Sequence, residues 1–327
     1  MSDAAASSTM GANFSNQFMP QPVAPSTAAR QIAALPVTRA KTFSYHGADL
    51  QFIQTASTSN LRLAVGIPNA ELEALARDTQ ATKALIAAIQ PYAGNIEWLC
   101  VGNEPLGSWH GGRYLNFLVP AMQNVQKAMQ EASLQIGVTV PLNYAIMGNS
   151  FPPSAGQFNP SLVAIITAAC KVMSTSRAPF MVNVYPFLDV INNPQIPLAY
   201  CLFTAPQNEW VHDGQYVYKN IFDASLDALY VALGGIGLPG LTVVVGECGW
   251  PTQGNLVATL ANAQTFNQNL IYHCKSGFGT PRRPGSPIVC YVFEMYDEAN
   301  KPTEPGPFEA AWGVFNGGGQ PKYALGW

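Results

Sequence analysis

The stretch Val243-Val244-Val245-Gly246-Glu247-Cys248-Gly249-Trp250-Pro251 sets the problem this chain poses. Three β-branched residues in a row read as a strand buried on both faces. The run ends on a carboxylate, and a charge at the end of a buried strand is expensive unless it is paired or used. Similar apolar runs recur along the chain, near Thr9–Phe14, Arg39–Ser44, Leu61–Ile67, Ile96–Gly102, Ile136–Pro141, Phe180–Tyr185, Leu241–Gly246 and Ile288–Met295. Stretches with helical spacing separate them, including Gly112–Glu131, Ser161–Ser174, Val217–Leu233 and Leu256–Cys274. Strands alternating with helices pair in parallel, because each return crossover needs a helix. Eight such strands predict an α/β fold, a (β/α)8 TIM barrel, as one domain over residues 1–327. Pro and Gly punctuate loops throughout and gather into no linker.

Composition narrows the function. The 327 residues carry a formal net charge of -3, with 11% charged residues, against roughly 25% in ordinary soluble domains. Nothing here neutralises a phosphate backbone, so nucleic acid is not an expected partner. No apolar run reaches the roughly 20 residues of a membrane helix. Met1-Ser2-Asp3-Ala4 lacks the basic start and apolar core of a signal peptide. The first ten residues are Ala/Ser-rich. The six cysteines (Cys100, Cys170, Cys201, Cys248, Cys274 and Cys290) form no CxxC and sit mostly in apolar segments, which reads as reduced core thiols. His46, His110, His212 and His273 have no ligand spacing, so no metal is expected. Gly235-Ile236-Gly237-Leu238-Pro239-Gly240 fits G-x-G-x-x-G, but it follows a helix and precedes a strand, the reverse of a dinucleotide site. It reads as a helix-ending loop, and no cofactor is expected. Asn13-Phe14-Ser15 is a glycosylation sequon at a strand end.

Barrel active sites sit at the C-terminal ends of the strands. The fourth strand runs through Val101-Gly102 into Asn103-Glu104, and the seventh into Glu247. Two carboxylates at one rim are what glycosidic cleavage requires: an acid for the leaving oxygen, and a base or nucleophile at the anomeric carbon. Tyr185, after the sixth strand, is placed to hydrogen-bond a carboxylate. Phe187, Phe293 and Tyr296 are candidates for stacking on sugar faces or for packing the rim. Turn signals flank Trp250 and Trp312, which predicts exposure near the cleft.

Val101-Gly102-Asn103-Glu104, the Val245–Pro251 turn and the strand-eight segment Phe293–Lys301 resemble the family 17 glycoside hydrolases, the β-1,3- and β-1,3-1,4-glucanases. Further likenesses are Asn149–Gly156, Asn183-Val184-Tyr185-Pro186-Phe187, and Trp312-Gly313-Val314-Phe315 followed by Pro321-Lys322-Tyr323. The resemblance implies a retaining mechanism with Glu247 as nucleophile and Glu104 as acid/base. It also implies Asn103 on the sugar 2-hydroxyl, Glu298 and Lys301 as a supporting pair, and Tyr185 beside the nucleophile. Double displacement calls for carboxyls about 5–5.5 Å apart and for pKa values pushed apart. Three departures stand out: Lys41-Thr42-Phe43 replaces Arg-Ile-Tyr or Arg-Leu-Tyr, with Tyr45 a substitute for the tyrosine; Cys248 replaces Ser; and Glu294 replaces a small residue. They bear on subsite preference.

The expected partner is a β-glucan, met by a monomer. Transglycosylation through the same intermediate, mixed-linkage hydrolysis and glucan binding without chemistry are the alternatives. A polysaccharide substrate suggests a secreted or extracytoplasmic protein, while the thiols permit an intracellular one.

Overall fold

The structure, a computed structural model, describes residues 9–327. All but the end of the Ala/Ser-rich start lies outside that range. Eight parallel strands form the centre: β1 (Met10–Asn13), β2 (Arg39–Lys41), β3 (Arg62–Ile67), β4 (Ile96–Val101), β5, β6 (Phe180–Asn183), β7 (Val243–Cys248) and β8 (Cys290–Val292). The fifth is split into Gly137–Thr139 and Pro141–Asn143, with Val140 between. The first run pairs with β4 and the second with β6. The hydrogen-bonded order starts at one half of β5 and ends at the other, so the sheet returns on itself as a (β/α)8 barrel.

Helices cover the barrel between successive strands, but after β8 the described residues form only a 3-10 turn, Pro307–Ala311. Three helices start four or more residues later than the spacing predicts, each for a local reason. Gly111 and Gly112 adopt left-handed backbone (φ 56° and 77°), so the helix after β4 begins only at Leu118. Tyr216–Tyr218 pairs with Val211–Asp213 as a hairpin, and Asn220 caps the following helix, Ile221–Gly235, by accepting from the Asp223 N–H. Thr259 caps Leu260–Ser276 in the same way, and Gly277 ends that helix in left-handed backbone. The Gly235–Gly240 stretch follows Ile221–Gly235 directly, with Gly237 at φ 80°, and leads into β7.

All six residues of β7 are buried, as expected of a strand covered on both faces. The six cysteines are free and buried. Among the described residues, no helix is long and apolar enough to cross a membrane, and no group of His, Cys, Asp or Glu has the arrangement of a metal site.

Candidate active site

Glu104 is placed by strained but well-anchored backbone. After β4, Gly102 (φ 83°) and Glu104 (φ 51°) both turn left-handed. That conformation costs a non-glycine residue about 1–3 kcal/mol and persists only where its surroundings over-determine it. Here the Glu104 N–H donates to the Pro141 carbonyl at 2.8 Å, just after the break in β5, and the Gly107 N–H donates to the Glu104 carbonyl at 2.9 Å. Asn69 clamps the preceding residue: its Oδ1 accepts from the Asn103 N–H and its Nδ2 donates to the Asn103 carbonyl. The carboxyl is thereby aimed inward, where Oε1 accepts from Asn183 Nδ2 at 2.8 Å. Asn103 Oδ1 is buried with no hydrogen-bond partner among the described residues, an open acceptor for a ligand hydroxyl.

Glu247 belongs to β7 itself. The register of β7 against β6 shifts between Val245 and Glu247, an irregularity that re-aims the side chain. Gly246 permits the close approach, because a Cβ there would collide with Met181 and with Asn183 Oδ1. The carboxylate is 4% exposed. Lys41 Nζ donates to Oε1 at 2.8 Å, and the Tyr185 hydroxyl donates to Oε2 at 2.7 Å. Lys41 is itself fully buried. It donates to Asn13 Oδ1 at 3.1 Å and lies 3.8 Å from the centre of the Phe43 ring. Asn13, the sequon residue, is buried beneath this group and donates to the Gly246 carbonyl.

One residue ties the two carboxylates together. Asn183 lies opposite Glu247 in the β6–β7 register, and its side chain reaches Glu104. Burial above all, together with the negative charges of Glu247 and Glu309, raises the Glu104 carboxyl from its ordinary 4.5 to about 7 against the opposing pull of Asn183 and Lys41. Burial and the two carboxylates push the Tyr185 phenol well above its usual range, so it stays a donor.

A second cluster flanks the pair. Lys301 Nζ lies 3.4 Å from Glu309, 3.8 Å from Glu294 and 3.9 Å from Glu298. Glu298 accepts from the Ser15 hydroxyl at 2.6 Å and from the Phe18 N–H. Glu294 is fully buried, and neither of its carboxyl oxygens has a hydrogen bond among the described residues. Burial drives this carboxyl well above the usual range, with Lys301 opposing and the neighbouring carboxylates adding.

The aromatics correct several expectations. Trp250 is flanked by turns, yet it is fully buried: Nε1 donates to the Val257 carbonyl, and the ring packs on Phe187 and Phe266. Phe187 is equally buried, against Trp250, Phe308 and Trp312. Tyr296 is buried and donates its hydroxyl to Gln31. None of these three has a face free for a sugar. Trp312 is not exposed either; its ring centre lies 5.0 Å from that of Tyr185, where it supports the tyrosine. Phe293 meets Tyr185 edge-on and lies under Lys301. Tyr45 bonds Glu71 and does not reach the carboxylate pair.

Lys41, Asn183, Asn13 and Glu309 were not predicted from sequence. Lys41 stood in the sequence only as a departure from the arginine of the family pattern. A separate cavity of about 630 Å³ opens at the opposite end of the barrel, between Arg39, Glu97 and Arg177. It holds no pair of carboxylates.

The arrangement has close counterparts. The sequence profile described as "Glycosyl hydrolases family 17" matches residues 24–327. "Glucan endo-1,3-beta-glucosidase 5" of Arabidopsis thaliana is 35% identical over 324 residues, covering 97% of this chain and 66% of that protein. The chain thus spans just under two thirds of that relative's length. The basic vacuolar isoform GLB of glucan endo-1,3-beta-glucosidase from Nicotiana tabacum is 39% identical over 287 residues, covering 86% of this chain and 74% of the relative. The solved structure of CJP38, a β-1,3-glucanase and pollen allergen of Cryptomeria japonica, superposes with a TM-score of 0.91 at 33% identity, covering 97% of this chain and 98% of that one. This chain belongs to glycosyl hydrolase family 17.

Proposed function

We propose that the protein is a retaining endo-β-1,3-glucanase, with Glu247 as nucleophile and Glu104 as acid/base. The observation that carries this reading is the asymmetry of the pair. Glu247 is held by Lys41 and Tyr185, while Glu104 makes no ion pair among the described residues and is raised to about 7. A carboxylate fixed by a lysine and a phenol is an oriented nucleophile, and a carboxyl that titrates near neutrality can donate a proton. In the first step Glu247 attacks the anomeric carbon, the glycosidic C–O bond breaks, and the Glu104 proton passes to the leaving oxygen. Ester formation removes the charge on Glu247, which lowers the affinity of Glu104 for a proton. Glu104 then takes a proton from water, the hydroxide oxygen bonds to the anomeric carbon, and Glu247 is released.

The relatives, glucan endo-1,3-beta-glucosidases by name, support the β-1,3 linkage and an endo mode of cleavage. The reading takes the protein to act as a monomer, and a polymeric glucan calls for action outside the cytoplasm. The test is NMR of laminarin digestion, with barley glucan, lichenan and pustulan alongside. The reading expects laminarin to be cleaved with the β-anomer appearing first. First appearance of the α-anomer, or no cleavage of any β-1,3-containing glucan, contradicts it.

A further inference from the structure

The rim loop that follows Glu104 carries an aromatic surface which the carboxylate chemistry leaves unused. Pro105, Leu106 and Gly107 are buried, after which the chain projects outward through the 3-10 turn Ser108–His110. Trp109 on this turn is 61% exposed. Its six-membered ring lies against Gly107, where an added methyl group would collide with it. The Gly107 N–H is itself bonded to the Glu104 carbonyl. The ring is thus tied through one residue to the backbone that sets Glu104.

His110 lies 5.6 Å from Trp109 between ring centres and meets Tyr114 edge-on at 5.0 Å. Gly111 and Gly112 then turn the chain in left-handed backbone. Phe151, on the loop after β5, is exposed at the same barrel end.

A single exposed apolar residue is ordinary. What sets Trp109 apart is a largely exposed ring packed against a glycine of the acid's own loop, five residues beyond a rim carboxyl. The flat ring of an indole matches the C–H face of a pyranose, and with two side-chain torsions it is ordered at low cost. We propose that Trp109 is a stacking platform for a glucosyl unit of the β-glucan on the leaving-group side of the scissile bond. This deepens the glucanase reading and rests on it. The side follows from Glu104: the acid contacts the oxygen bonded to the leaving sugar, and the same loop runs from that acid to the indole.

The test is titration calorimetry of laminarihexaose with the Glu247→Gln protein, with Trp109 intact and replaced. Trp109→Ala should weaken binding by about 3- to 10-fold, the scale of one aromatic contact, and Trp109→Phe should recover most of it. In the active protein, Trp109→Ala should raise KM for laminarihexaose with kcat little changed, and should redistribute the cleavage positions. The exposed position keeps the fold intact, and an unchanged Tm verifies this. Unchanged affinity, KM and product pattern in a protein that still cleaves laminarin overturn the platform alone. If Glu247→Gln binds no laminarihexaose and the active protein leaves laminarin intact, the glucanase reading fails and the platform falls with it.

Discussion

Asn183 donates to Glu104 Oε1 at 2.8 Å from a backbone position directly opposite Glu247. It therefore fixes where the two carboxylates stand relative to one another and stabilises the charged form of Glu104. Asn183→Ala removes the bond that pulls Glu104 down, so the carboxyl moves further above about 7. The first step needs Glu104 protonated. The alkaline limb of kcat/KM should shift to higher pH while the maximum falls by roughly 10- to 100-fold, as for a misplaced catalytic group. A pH–rate profile of the variant beside wild type checks this; an unmoved limb contradicts it.

Lys41 and Glu247 form a buried ion pair at 2.8 Å. Removing one partner of such a pair strands the other charge at about 3–5 kcal/mol. Lys41→Met should lower Tm by several degrees and reduce kcat/KM by at least about 100-fold, because the nucleophile loses half its positioning contacts. Lys41→Arg keeps a cation beside Glu247 and restores the residue of the family pattern at this position, so it should recover much of the activity that Lys41→Met loses. Thermal unfolding and laminarin kinetics on both variants measure these effects.

Glu294 is fully buried and held well above the usual carboxylate range. The unfolded chain loses this proton near the ordinary value of 4.5, but the folded chain holds it to higher pH. Folding stability contributed by this site is therefore complete below 4.5 and declines as pH rises towards the folded value. Glu294→Gln, which cannot ionise, should match wild type in Tm at acid pH and exceed it above neutrality. A Tm series in pH tests the sign; a Gln variant less stable than wild type at high pH contradicts it.

Trp250 packs the interior and presents no face to a ligand. Trp250→Ala should cost about 3–5 kcal/mol, the range for emptying a buried aromatic site. Trp250→Phe should leave KM for laminarin unchanged while lowering Tm. A KM increase without loss of stability would restore a substrate role.

The legible part of this molecule was the part written locally. Val243–Gly246 announced a buried strand, and the charges at Glu247 and Glu104 stood out because each ended such a strand. The partners of those charges were not legible. Lys41 reaches Glu247 across 206 residues of sequence, and Asn183 reaches Glu104 only because barrel closure through the split β5 brings β4 near β6. Register across a closed sheet cannot be read from one strand at a time. Trp250 misled for a different reason: turn residues mark a change of chain direction, and this turn folds its indole under helix Leu260–Ser276. The helix expected over Gly112–Glu131 forms but begins only at Leu118, because of the two left-handed glycines, which a periodicity of side chains does not register.

The central claim is that the sugar becomes esterified to Glu247. A deactivated fluorosugar, a fluorinated laminaribiosyl fluoride, should trap that ester, and peptide mapping by mass spectrometry locates it. The account predicts one sugar per chain, on the peptide containing Glu247, with none on the Glu247→Gln protein. A label on Glu104, Glu294 or Glu309, or no label on an enzyme that turns over laminarin with inversion, would contradict it.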